Sequence, residues 1–138
     1  MSQLEVDKVI PQSGTNLQIG EAGDTINLTT ATVNLPTGVG GTSWQAVKTA
    51  NFTAVAGEGY FVNTTSGVIT ATLPSSATIG NEGSIIDYAG TADTNNITIG
   101  RNGHNIQGAA SDMTVTTERA AFTLVYVDST QGWLLKDK

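Results

Sequence analysis

The sequence predicts an all-β protein: a β-sandwich or jelly-roll-like C-terminal domain with an extended, short-stranded N-terminal arm, assembled as a homotrimer. Three observations lead there. Only 13% of the 138 residues are charged, against about 25% in average globular domains. Thr, Asn, Ser and Gly supply the polar character instead, a mixture that disfavours helix and favours strands and turns. From Trp44 onward, apolar residues alternate with polar ones in short runs, the two-residue period of a half-buried strand. Turn-forming residues interrupt these runs about every 8–12 residues, the spacing of a sandwich or jelly roll. The stretches between runs lack the helical pattern that a parallel α/β sheet requires.

Residues 1–36 read as the arm. Leu4, Val6, Val9 and Ile10 are placed to add a strand to a neighbour's sheet edge. Leu17 and Ile19, Ile26 and Leu28, and Val33 and Leu35 then form three alternating pairs, separated by Gly20–Asp24 and Thr29–Thr32. So few apolar residues bury little within one chain. The spacing suits rungs completed by neighbouring chains, most simply three copies around an axis. The competing reading is a disordered polar tail, against which the alternation of Ile and Leu with Asn and Gln speaks. Residues 37–43 are a linker rich in Gly, and residues 44–138 are the compact domain.

Within the domain, Phe52 and Ala54 alternate with Thr53 and Val55 before the Gly57–Gly59 turn. Tyr60–Asn63 is a strand, and Thr64–Gly67 the turn after it. Val68–Leu73 carries Ile69, Ala71 and Leu73 on one face, and Pro74 closes it because proline donates nothing to a ladder. Ser84–Ala89 follows. Ile97 and Ile99 alternate with Asn96 and Thr98, and Asn102-Gly103 tolerates positive φ, so Asn95–Gly108 reads as a tight hairpin. Met113 to Val115 leads through a Glu118-Arg119 turn into Ala120–Val127, apolar on both faces. Such a strand belongs mid-sandwich or in a subunit interface. Trp133–Leu135 is the last strand. The expected core or interface residues are Ile97, Ile99, Phe122, Leu124, Tyr126 and Trp133.

The run Asn96-Ile-Thr-Ile-Gly-Arg-Asn-Gly-His-Asn-Ile-Gln-Gly-Ala-Ala110, then Met113-Thr-Val115, Phe122-Thr-Leu-Val-Tyr126 and Gly132-Trp133, resembles a small β domain. That domain recurs in tail-fibre and other virion surface proteins of tailed bacteriophages, many of them marine. The resemblance spans roughly Gln45 to Lys136, and the arm resembles repeat segments of phage fibre shafts. It implies a virion structural protein, a trimeric tail-fibre or appendage protein that contacts the host surface. The partners so implied are the chain itself, other tail or capsid proteins, and a host surface glycan. The place implied is the virion surface, after synthesis in the host cytoplasm. A capsid decoration protein, cement or head fibre, is the first alternative. A carbohydrate-binding module is the second.

Composition narrows the partners. The net charge is −6 and the six basic residues are scattered, which speaks against nucleic acid and anionic membranes. No apolar run approaches the ~20 residues of a membrane span, and the N-terminus lacks a signal-peptide layout. With no cysteine, disulfides and thiolate metal sites are ruled out.

Candidate chemistry is sparse, so the expectation is no enzyme and no cofactor. His104 stands beside a turn, without a nucleophile elbow in the chain. Glu82 and Asp87 fall on opposite faces of a strand, and Asp93 and Asp112 in separate loops, where aspartates serve turns. Asp93–Asn96 fails the EF-hand pattern, leaving only an irregular oxygen site with Asp87 or Asp112. The four glycosylation-like sequons, at Asn27, Asn51, Asn63 and Asn96, read as chance in a chain so rich in Asn and Thr. Trp44, Tyr60, Tyr88, Tyr126 and Trp133 could stack on sugar, but core burial is the stronger expectation. If one of them is exposed, it is Tyr60 or Trp44, which flank Gly-rich turns. Tyr60, Asn102 and His104 are the candidate surface contacts.

Overall fold

The computed structural model describes residues 41–137. The arm residues Leu4, Val6, Val9, Ile10, Leu17, Ile19, Ile26, Leu28, Val33 and Leu35 lie outside the described residues. Among the described residues every regular element is a strand: β1 (Ser43–Trp44), β2 (Phe52–Thr53), β3 (Glu58–Val62), β4 (Ile69–Thr72), β5 (Glu82–Asp87), β6 (Ile97–Gly100), β7 (Met113–Val115), β8 (Ala121–Asp128) and β9 (Gly132–Leu135). The all-β expectation therefore holds for this part of the chain.

The strands form two mixed sheets, ordered β1-β3-β5-β8-β9 and β2-β4-β6-β7. The chain does not pair each strand with its neighbour in sequence. Its first six strands alternate between the sheets, and each of the first four pairs in parallel with the strand two places on. Ser43 meets Glu58, Phe52 meets Ala71, Gly59 meets Ser84 and Ile69 meets Ile97. Parallel neighbours need a crossover, usually a helix. Here the intervening strand in the other sheet is the crossover, so the chain coils without helices. The last three strands reverse this: β7 pairs antiparallel with β6, β8 with β5, and β9 with β8. Turn residues in the sequence mark where strands end but not which strand each will join, so the coil was not foreseen.

One hydrophobic cluster draws on both sheets. Tyr60, Val62, Ile85, Leu124 and Trp133 come from the five-stranded sheet, and Ile69, Ala71, Ile97, Ile99 and Val115 from the other. Ile97, Ile99, Leu124 and Trp133 are fully buried and Tyr126 nearly so, while Phe122 packs half-buried against them. Burying one such side chain contributes roughly 1.5–3 kcal/mol. β8 is buried on one face only, with Val125 and Val127 half-buried on the other.

The hairpin expected across Asn102-Gly103 does not form. The turn itself is present, with Asn102 at φ 47° and the His104 N–H donating to the Arg101 carbonyl at 3.0 Å. The returning chain leaves the sheet, however, and β7 takes the place beside β6. Ile106 is buried, and it bridges Ala109 and Trp133. A two-residue turn fixes a local reversal; burial of Ile106 against Trp133 decides where the chain goes next. Gly132 is required for this docking: at φ 70°, its missing Cβ would lie 1.8 Å from the Asn105 carbonyl oxygen.

Asp87 pins the far end of β5. It is 1% exposed, and its carboxylate accepts backbone N–H bonds from Gly90, Thr91, Ala92 and Arg119. One buried anion thus ties a loop to the segment before β8. A carboxylate ringed by N–H donors has no open lone pair for a cation, so the irregular oxygen site with Asp87 is corrected. Asp112 accepts from the Arg101 N–H, and Asp128 from those of Thr130 and Gln131, as turn aspartates do.

Candidate functional site

Alternation along the strands gives the five-stranded sheet two faces. Inward, Tyr60, Ile85 and Phe122 form one row across β3, β5 and β8. Outward, Trp44, Gly59, Ser84 and Thr123 form the matching row across β1, β3, β5 and β8. Beside it lie Phe61, Ile86 and Ala121.

Trp44 is 47% exposed on this outer face. Its indole stands against Phe61, ring centroids 4.9 Å apart and planes 28° off parallel. It also fills the space over Gly59, where a Cβ would meet the indole at 2.6 Å. A glycine opposite and a ring alongside hold the indole in place while leaving much of it in water. Val47 and Tyr88 are exposed apolar neighbours of Phe61 and Ile86.

Two clefts open on this region. One, of about 280 Å³, lies between Trp44, Thr42, Ser84, Thr123 and Asp137. The other, of about 370 Å³, is lined by Glu58, Asn81, Glu82 and Lys136. Thr42 and Ser84 line both, so the two join into one groove. At the junction, Ser84 and Thr123 share one hydrogen bond, Oγ to Oγ1 at 2.9 Å. Each hydroxyl keeps further hydrogen-bonding capacity.

Glu58 and Glu82 both border the second cleft, but alternation sends their carboxylates to opposite faces of the sheet, so they do not form a paired-carboxylate site. Both are already engaged. Lys136 Nζ lies 3.0 Å from Glu82 Oε1, which raises the lysine's pKa through that hydrogen bond and charge. Glu58 accepts a short hydrogen bond from the Tyr60 hydroxyl, which itself accepts from the Val55 N–H at 2.8 Å. Burial first, then the bond to Glu58, pushes the Tyr60 hydroxyl up to about 12. It stays protonated at any physiological pH.

The predicted contact residues fare differently. Tyr60 is 2% exposed: it is a core residue, and its surface role is corrected. It sits behind Phe52, ring centroids 4.6 Å apart, because its strand position faces inward. Asn102 is exposed, with its side-chain amide donating to the Leu73 carbonyl at 2.8 Å. His104 is half-buried: Nε2 lies 3.0 Å from the Ser75 carbonyl, and the ring meets Tyr126 edge-on. Asn102 and His104 share a loop, away from the groove lining. Of Tyr60 and Trp44, the two candidates should an aromatic be exposed, it is Trp44 that faces water. The groove's Asn81, Ser84, Thr123 and Lys136 were missed, since only the pairing of β1, β3, β5, β8 and β9 brings these distant positions together. Among the described residues, no group of three His, Cys, Asp or Glu is arranged to hold a metal, and no helix is long and apolar enough to cross a membrane.

Comparison with known proteins finds no matching family model and no matching curated protein.

Proposed function

We propose that the chain is a structural protein of a tailed-bacteriophage particle, a trimeric fibre or appendage component displayed on the virion surface. It acts by assembly and binding, without turnover. The observation that carries the reading is the coil: six strands alternating between two sheets, with parallel rungs stacked across the chain and closed by three antiparallel strands. Such stacking yields a rigid scaffold from short strands and few charges, and it can be extended rung by rung. The likeness of Asn96–Trp133 to phage surface domains supplies the setting. In this reading the two sheets pack as a sandwich-like display domain, the arm of residues 1–36 joins three copies, and the partners are other virion proteins and a host surface glycan.

The test is the copy number of the chain in purified particles, measured against the major shell protein by quantitative mass spectrometry. A small fraction of the shell count is expected. Parity with the shell protein would instead mean capsid decoration, and absence from particles would overturn the virion reading altogether. Sedimentation of the full chain at micromolar concentration tests the trimer, which a monomer would overturn.

A further inference from the structure

We infer that the groove across the outer face of the five-stranded sheet binds a neutral oligosaccharide, with one sugar ring stacked on Trp44. The inference deepens the display reading by naming a ligand class for this face, and it rests on that reading only for its biological setting.

Three features select the ligand. The first is an exposed indole that is already fixed. Trp44 is 47% exposed, yet it packs against Phe61 and directly over Gly59, which fix its place. An aromatic fixed before binding loses little side-chain entropy on contact. Its flat apolar face matches the C–H face of a pyranose.

The second is the polar lining beside it. Ser84 is only 6% exposed, yet it lines both clefts and spends its hydroxyl on a single bond with Thr123. Asn81, Thr42, Glu82 and Asp137 add amide, hydroxyl and carboxylate groups along the groove. Such a set exchanges hydrogen bonds with a polyol from both the donor and the acceptor side.

The third is charge. The groove carries Glu82 and Asp137 against a single cation, Lys136, which Glu82 already holds at 3.0 Å. An acidic lining whose one cation is paired disfavours phosphorylated, sulfated or uronate chains. A peptide would need sheet-edge pairing or a deep apolar pocket, and the only edge strand along this groove, β1, offers two residues. A neutral sugar chain fits all three features. The larger cleft alone, about 370 Å³, is within the usual size range of small-ligand sites, about 300–1,000 Å³.

The experiment is isothermal titration of the full-length purified chain with neutral hexaoses (cello-, manno-, xylo- and chitohexaose), with a heparin hexasaccharide as the anionic control. Binding of at least one neutral hexaose but not of the heparin fragment is expected. Trp44→Ala should weaken it at least about tenfold, the equivalent of one lost aromatic contact. Ser84→Ala should weaken it less. Val68→Ala, at a side chain 60% exposed that lines neither cleft, should leave it unchanged. Circular dichroism of each variant separates lost binding from lost folding. Failure of every neutral hexaose at millimolar concentration would overturn the inference, as would tight heparin binding or an unaffected Trp44→Ala. So would Trp44→Ala turning an oligomer into monomers, since a second copy would then be what covers the indole. Because these assays use purified protein, none of their outcomes bears on whether the chain is found in particles.

Discussion

Tyr60 and Trp44 both sit beside glycine-rich turns in the same sheet, and their fates are opposite: one is 2% exposed and the other 47%. The difference is register. Tyr60 lies in the inward row with Ile85, and Trp44 in the outward row with Gly59 and Ser84. The inner face is filled with apolar side chains, and the buried charge on it, Asp87, is held by four backbone N–H donors. The outer face mixes an aromatic pair with hydroxyls and carboxylates. The same strands thus serve stability on one side and recognition on the other, so substitutions on the two faces should have separable effects.

The largest effect belongs to the inner face. Leu124→Asp places an unpaired charge at a position with no exposure. It should cost more than about 4 kcal/mol and unfold the domain, as read by loss of the β signal in circular dichroism. A folded variant would show that Leu124 is not central to the core. Next is Asp87→Ala, which leaves four backbone N–H donors without their acceptor. A loss of about 3 kcal/mol in urea titration is expected, with Asp87→Asn losing less. An unchanged midpoint would mean that water replaces the carboxylate at no cost.

Gly59→Ala links the two faces. The new Cβ must push the Trp44 ring aside, and overpacking of this kind costs about 1–2 kcal/mol. It should also impair the groove without touching its polar lining. Tyr60→Phe tests the inner face by pH. The unfolded tyrosine titrates at 10.0 and the folded one at about 12, so the folded state keeps a proton that the unfolded chain gives up. The stabilisation is therefore complete below pH 10 and is lost as the pH rises toward 12. In Tyr60→Phe, thermal melts across that window should decline less steeply than in the parent. The variant should also lose about 1 kcal/mol at neutral pH, because the Val55 N–H loses its acceptor. Smallest of all, Trp44→Ala should shift stability by no more than about 0.5 kcal/mol. A larger loss would place Trp44 with the core rather than with recognition.

The sequence carried the periodicity and therefore the strands. Ile97, Ile99, Leu124 and Trp133 could be placed in the core because alternation and size both point inward there. The partners of those strands were not legible. Turn chemistry at Asn102-Gly103 announces a reversal, and the reversal is present, but its returning arm follows Ile106 toward Trp133 and away from β6. The groove was hidden for the same reason. Thr42, Glu58 and Ser84 are far apart in the chain and converge only through parallel pairing. The role of Asp87 was not legible either, since neither its burial nor its bond from the Arg119 N–H leaves a local trace.

The mixed pairing also sets an order of events for the folding chain. β8 and β9 are joined by a short turn and close locally, so that hairpin can form early. Each parallel rung must first close a longer loop through the other sheet before any contact compensates for the lost entropy. Trp133, at the tip of the early hairpin, then has to receive Ile106 from a segment made well before it. Refolding should therefore begin with β8–β9, run on the slow millisecond-to-second side of single-domain kinetics, and be limited by closure of the coil onto a hairpin already in place.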